Sequence, residues 1–184
     1  EIVCISDDAL IPGMFDFEKA YDYAVEIAPP LSLLVEVGVF HGRSLIYLAK
    51  KAKEAQKGLQ VVGVDWGFGI GSGPNANSVL ENLKARDLDV PLIFWDSDKA
   101  AGFFPDGSCF WVFIDADHEE ENVRKDILAW WPKIKPGGWL AGHDYDNPCM
   151  DYPFPGVKKA VDGIFGEGNG NWPIRGCWAA PKGF

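Results

Sequence analysis

Positive charge is scarce in this sequence. Its 184 residues hold 17 Lys and Arg against 27 Asp and Glu, a formal net charge of −10. A chain this acidic is repelled by phosphate backbones, so nucleic acid is not expected as a substrate or partner. No run of Lys and Arg offers a local basic patch, and Lys51, Lys53 and Lys57 read as one solvated helix face. Paired cysteines are lacking as well. The four Cys are Cys4, Cys109, Cys149 and Cys177, none in a C-x-x-C pair, which argues against zinc. Cys109 enters an apolar run and is expected as a buried thiol. No apolar stretch approaches the roughly 18 residues of a membrane helix. The first residues lack the basic flank and apolar centre of a signal peptide, so the expected location is cytoplasmic, away from membranes.

What is present is an ordinary globular balance, with 47% hydrophobic and 24% charged residues and eight Trp. The length suits a single domain, here 1–184, able to bury a core without metal or disulfide staples. A helical lead-in is expected over 1–32, since Phe17, Tyr21, Ala24, Val25 and Ile27 keep helical spacing until Pro29-Pro30. From residue 33 onward, apolar runs alternate with helical patterns. Strands are expected at Leu33–Val37, Leu59–Val64, Val90–Trp95, Phe110–Ile114 and Trp139–Gly142. Helices are expected at Ser44–Lys57, Asn75–Arg86, Glu119–Trp131 and Val157–Phe165, with a short turn ending near Ala101. The tail Trp172–Ala180 reads as two short strands about Arg175-Gly176, for about seven strands in all. The expected fold is α/β: a Rossmann-like, doubly wound, mostly parallel sheet with helices on both faces. Such sheets bind ligands at the carboxyl ends of their strands.

Candidate chemistry gathers at those ends. The first strand closes in Glu36-Val37-Gly38-Val39-Phe40-His41-Gly42-Arg43-Ser44, a glycine turn opening onto a helix N-terminus. Val39 and Phe40 break the G-x-G-x-x-G pattern that a dinucleotide site needs, which weighs against a nicotinamide oxidoreductase. Asp65, one βα unit later, is suited to ribose hydroxyls, or is a plain strand-end charge. Trp66 is placed to pack on an adenine, or belongs to the core. Asp96 and Ser97 suit an adenine edge, or cap the next helix. The fourth strand ends in Asp115-Ala116-Asp117-His118 and the fifth in His143-Asp144-Tyr145-Asp146. Carboxylates and imidazoles crowded at neighbouring strand ends suit a metal or proton transfer; either group alone reads as a cap or loop charge.

The string Phe113-Ile114-Asp115-Ala116-Asp117-His118, then Val123, Asp126, Trp130-Trp131-Pro132, Lys135-Pro136-Gly137-Gly138 and Gly142-His143-Asp144-Tyr145, resembles the bacterial class I methyltransferases. These are similar to metal-dependent O-methyltransferases acting on catechols, caffeoyl thioesters and antibiotic sugars. The resemblance runs from Leu33 to Asp146; the lead-in and the tail carry none of it. It implies S-adenosylmethionine as cofactor, with Glu36, Gly38, Gly42 and Ser44 at its methionine part, Asp65 at its ribose, and Asp96 and Ser97 at the adenine. It implies Asp115 beside the cofactor, as a ligand of a divalent metal (Mg or Mn) and as a proton acceptor. His143 and Asp144 would complete the metal site, although a carboxylate is the usual residue where His143 stands. His118 and His143 are the imidazoles available as general base. The expected reaction is O-methylation of a small hydroxylated acceptor, a sugar, phenol or similar. The loops Gly67–Gly73 and Asp146–Gly156 are placed to close over the site. A non-catalytic cofactor- or partner-binding module on the same fold is the remaining alternative. A monomer and a homo-oligomer are both compatible with the sequence.

Overall fold

Residues 109–114 read Cys-Phe-Trp-Val-Phe-Ile, and all six are buried. A strand apolar on both faces needs cover on both faces, and this one has a parallel strand on either side with helices above and below. It is β4 (Cys109–Ile114) of a computed structural model that describes residues 7–67, 76–146 and 154–183. The other strands are β1 (Leu33–Val37), β2 (Gln60–Asp65), β3 (Leu92–Phe94), β5 (Ile134–Gly142) and β6 (Trp178–Pro181). The helices are α1 (Glu18–Ile27), α2 (Arg43–Glu54), α3 (Ala76–Lys84), α4 (Ser97–Ala100), α5 (Glu120–Trp130) and α6 (Pro155–Phe165). Short 3-10 turns stand at Asp7–Leu10, Ala101–Phe103 and Trp131–Lys133.

The sheet order is β3-β2-β1-β4-β5-β6, parallel except for β6, which runs antiparallel to β5. Side chains alternate across it. Leu34, Trp111 and Phe113 face a cluster built with α1, α2 and α3. Val35, Val37, Val112 and Ile114 face a second cluster built with α4, α5 and α6. The chain walks outward from β1 to β3, then returns to lay β4 against the other side of β1. That reversal opens a crevice between the carboxyl ends of β1 and β4. In register, Val37 sits beside both Val64 and Ile114, and Ile114 beside Gly142, so the strand ends share one rim.

The lead-in is fastened to this frame. Asp8 accepts hydrogen bonds from Lys50 (2.5 Å) and Arg86 (2.6 Å). Phe17, 2% exposed, stacks on Phe113 at 4.8 Å. Pro29 forces Ala28 into an extended conformation and ends α1 there.

Three expectations are corrected. The sheet has six strands, not about seven. In the tail only Trp178–Pro181 joins it, with an isolated bridge from Asn171 to Trp178. Pro173 has no N–H for a ladder, and Trp172 and Ile174 pack into the first core cluster instead. β3 is three residues long rather than six. β5 starts at Ile134, five residues before Trp139, because Gly137 N–H donates to Lys182 and Lys182 N–H to Gly138. Most of the loops Gly67–Gly73 and Asp146–Gly156, with Cys4 and Cys149, lies outside the described residues. Cys109 and Cys177 are free, buried thiols. No helix among the described residues is long and apolar enough to cross a membrane.

Candidate active site

A cleft of about 710 Å³ opens along the carboxyl ends of β1 to β4. Gly38 forms its floor. A Cβ there would stand 1.9 Å from the Asp115 carbonyl oxygen, and φ is +94°, so only glycine lets β1 and β4 close up at this point. Gly38 N–H donates to Val64, and Asp115 N–H to Val37, locking the two strand ends together.

Gly38, Asp65, Trp66, Asp96, Ser97 and Asp115 all wall the cleft. The Asp65 carboxylate takes three backbone N–H groups: Val39 at 2.8 Å and Phe40 at 2.9 Å on Oδ2, and Gly67 at 2.8 Å on Oδ1. It thereby fixes the glycine turn and the start of the next loop, and Phe40 is held at a left-handed φ of +51°. Trp66 and Trp95 stand exposed at the mouth. Asp96 pairs with Lys99. Ser97 Oγ accepts the indole N–H of Trp130 at 3.0 Å.

Glu36, Gly42 and Ser44 are not part of the wall. Glu36, 1% exposed, accepts the Tyr21 hydroxyl at 2.5 Å and the Ser44 hydroxyl at 2.8 Å. Burial pushes its carboxyl up to about 8; the two hydrogen bonds oppose that and the charges of Asp115 and Asp65 add to it. Gly42 precedes the first turn of α2. These residues brace the glycine turn from behind.

The far end of the cleft is different in kind. Asp115, His118 and Asp144 can each bring one ligand atom within 4.8 Å of the other two. His118 Nε2 lies 2.9 Å from Asp144 Oδ2 and 4.0 Å from Asp115 Oδ1, and its ring stacks on Phe154 at 3.9 Å. His143 Nδ1 is 3.2 Å from Asp144 Oδ1, and its Nε2 is 3.1 Å from Asp16 Oδ1. The angles at these two His143 contacts are not those of hydrogen bonds. His143 Nε2 and Asp144 Oδ1 are buried without a hydrogen-bond partner. Asp144 sits at a left-handed φ of +60°, just past the end of β5.

Each group shifts its neighbours. Burial pushes Asp115 up to about 6; Asp144 and Asp16 add to this, and His143 and His118 oppose it. Burial works against ionised Asp144 as well, but the close contacts and charges of His118 and His143 outweigh it and hold the carboxyl well below the usual range. The bond to Asp144 raises His118 above the ordinary imidazole value against its desolvation. Burial disfavours charge on His143, yet Asp144, Asp115 and Asp16 outweigh it and raise that imidazole too. Acids and bases with displaced affinities in one cleft suit proton transfer or cation binding.

Of the expected metal set, the structure groups Asp115 and Asp144, with His118, expected as a general base, in the third place; His143, expected as the third ligand, touches this group from the side, turned toward the lead-in. One residue escaped the sequence reading, and another was named there only as part of the family-like string, without a role. Asp16, flanked by Phe15 and Phe17, carries no motif. Asp126 does: it falls on the apolar stripe Val123, Ile127, Trp130 of α5, where a carboxylate is out of place. It lines the cleft, and burial pushes it up to about 6.

A family model described as "Methyltransferase domain" matches residues 35–145. No curated protein matches the chain. Among solved structures, the O-methyltransferase NovP is 19% identical with a TM-score of 0.71, over 91% of this chain and 79% of that one. CalS11, a TDP-rhamnose 3'-O-methyltransferase of calicheamicin biosynthesis, is 18% identical with a TM-score of 0.68, over 91% and 77%. An O-methyltransferase from Bacillus cereus in complex with SAH is 19% identical with a TM-score of 0.62, over 88% and 75%. At these identities the likeness establishes the Rossmann-like fold. The family match, spanning the strand ends that build the cleft, establishes the rest: the chain belongs to the methyltransferase-domain family and is a methyltransferase.

Proposed function

We propose that the chain moves the methyl group of S-adenosylmethionine to a hydroxyl oxygen of a small acceptor, with a divalent cation at Asp115, His118 and Asp144. The observation that carries this reading is the position of Asp115. It belongs both to the wall of the cleft and to the acid–imidazole group at the cleft's end, so cofactor and acceptor meet across one residue.

S-adenosylmethionine, when bound, supplies an already activated sulfonium methyl. The residues suited to hold it are Gly38, which leaves its floor open, Asp65 and Trp66 near the ribose, and Asp96 and Ser97 toward the adenine. Glu36, Gly42 and Ser44 act from behind, by fixing the turn. Asp65 has a second task in this reading, because its three N–H partners keep the turn in shape before any ligand arrives.

The donor set fits a divalent ion. Two carboxylates and one imidazole offer the mixed oxygen and nitrogen ligands that manganese tolerates better than magnesium does. The partnerless Asp144 Oδ1 is the kind of buried atom that a cation satisfies. Such an ion would lower the affinity of the acceptor hydroxyl for its proton. Asp115, His118 and His143 are the candidate catalytic groups; with Asp115, His118 and Asp144 holding the cation, His143 stays in contact with Asp144 and is suited to receive that proton. Phe17 and Phe154 pack against the two imidazoles and limit water around them.

The test is methyl transfer from labelled S-adenosylmethionine to a panel of phenols and sugars, before and after exhaustive chelation. Activity lost in chelator and restored by Mn²⁺ or Mg²⁺ supports the reading. Full turnover in chelator removes the cation and leaves Asp115, His118 and His143 to take the proton without it.

A further inference from the structure

We propose that Asp126 selects the base of the cofactor: its carboxylate accepts the amino group of the adenine, so the chain sorts adenosyl compounds from those with another purine. The proposal rests on the cofactor reading above and gives the reading of the base to a side chain of α5, away from the strand ends.

The two groups placed toward the adenine are already engaged. Asp96 forms a solvent-exposed pair with Lys99, and such pairs hold and select little. Ser97 Oγ accepts the Trp130 indole N–H at 3.0 Å. The same hydroxyl favours the ionised form of Asp126, so its hydrogen faces that carboxylate. Ser97 therefore has no hydrogen left to give a base. Asp126 is the group with capacity to spare. It is 6% exposed and lines the cleft. It lies on the buried stripe of α5, a turn from Val123 on one side and from Trp130 on the other, and packing there holds it in place. Ser97 offers it one hydrogen, whereas a carboxylate has about four acceptor sites. Among the described residues no other donor acts on it. The charges that do, Asp98 and Asp117, are both negative, and Lys125 beside it in the wall lies 3.0 Å from Glu121. A buried acid short of donors at the edge of a cleft is what a ligand N–H satisfies.

Purine chemistry identifies that N–H. An ionised carboxylate accepts hydrogen bonds and donates none. The ring nitrogens of adenine are acceptors too, and its exocyclic amino group is its donor. Asp126 and the base are complementary at that group. A purine with a carbonyl in place of the amine sets oxygen lone pairs against the carboxylate. A purine with hydrogen there leaves the carboxylate as short of donors as before. A site built around one buried acceptor rejects ligands that lack its donor more strongly than an apolar pocket could.

The experiment is calorimetry on the full chain with three ligands: SAH, S-inosylhomocysteine, which carries the carbonyl, and the deamino analogue of SAH, which carries hydrogen. It is run at about pH 8, where Asp126, pushed up to about 6, is ionised. The three ligands share their homocysteine and ribose, so the charges of those parts cancel in the ratios. The unaltered chain should bind SAH about tenfold more tightly than the deamino analogue and about thirtyfold more tightly than S-inosylhomocysteine. Asp126→Asn should bring SAH and S-inosylhomocysteine to within about threefold of each other, because an amide both donates and accepts. Asp126→Ser, whose hydroxyl does the same, should also close the gap. Equal affinity for the three ligands in the unaltered chain overturns the proposal, whether or not the variants fold. So does a variant that weakens all three alike while the ratios stand, since Asp126 would then only hold Ser97 in place. No SAH binding at all removes the cofactor reading and this proposal with it; SAH binding without preference removes this proposal alone.

Discussion

The two halves of the cleft treat their carboxylates in opposite ways. At the end of β2, Asp65 accepts three backbone N–H groups, and at the end of β3 Asp96 has its Lys99. At the ends of β4 and β5, Asp115 and Asp144 have no such backbone donors among the described residues; they face imidazoles, and their proton affinities move in opposite directions. A carboxylate with fixed donors is a rigid acceptor and suits recognition. One whose charge is shared with a titrating neighbour suits chemistry. The fold makes this division, because the turns after β1 and β2 give backbone N–H groups to Asp65, whereas β4 and β5 deliver acidic and imidazole side chains to the rim.

The sharpest break in that comparison is at Asp144. Removing its charge by Asp144→Asn unpairs both imidazoles, and the rate of methyl transfer should fall by about 10²–10⁴, the range for a lost acid–base group. Steady-state rates at saturating cofactor measure this; a loss below about threefold would put Asp144 outside the chemistry. Next comes Gly38→Ala, which drives a Cβ into the Asp115 carbonyl. The strand ends must part, at a cost of about 3 kcal/mol or more in stability, read by denaturant unfolding.

Asp65→Ala is smaller and of the other kind. It should weaken SAH binding by about 1.5–3 kcal/mol, the value of hydrogen bonds to a charged group, by calorimetry.

The sequence made this division only partly readable. Strands β1, β2 and β4 were legible because apolar runs of five or six residues ended at Gly or Asp. The start of β5 was not. Lys135-Pro136-Gly137-Gly138 has the composition of a turn; it is held in the sheet by Ile134 pairing with Cys109 of β4 and by Lys182, just past β6, partners that are distant in sequence. Asp65 and Asp115 were found because strand ends in a doubly wound sheet are where ligands bind. The metal group was harder. His143 and Asp144 are adjacent in sequence, but the chain turns at Asp144, so one ring faces Asp16 and the carboxylate faces His118. Asp16 was invisible because a contact across well over a hundred residues leaves no local period to read.

A pH-dependent effect sharpens the comparison from behind the turn. Glu36 titrates near 8 when folded, above its unfolded value. The folded state therefore binds more protons between those values, and stability falls as pH rises through the window from about 5 to 8. Glu36→Gln should remove that slope, about 1 kcal/mol per pH unit, seen in urea midpoints taken across the range. An unchanged slope would mean that the Tyr21 and Ser44 bonds keep Glu36 ionised.

The central claim is that binding and chemistry are divided between the two halves. Its most direct measurement pairs Asp65→Ala with Asp144→Asn, each assayed for SAH affinity and for single-turnover methyl transfer at saturating S-adenosylmethionine. The account predicts a crossed result: Asp65→Ala loses affinity and keeps most of its single-turnover rate, while Asp144→Asn keeps affinity and loses the rate. Parallel losses of both quantities in both variants would contradict it, since the cleft would then work as one undivided site.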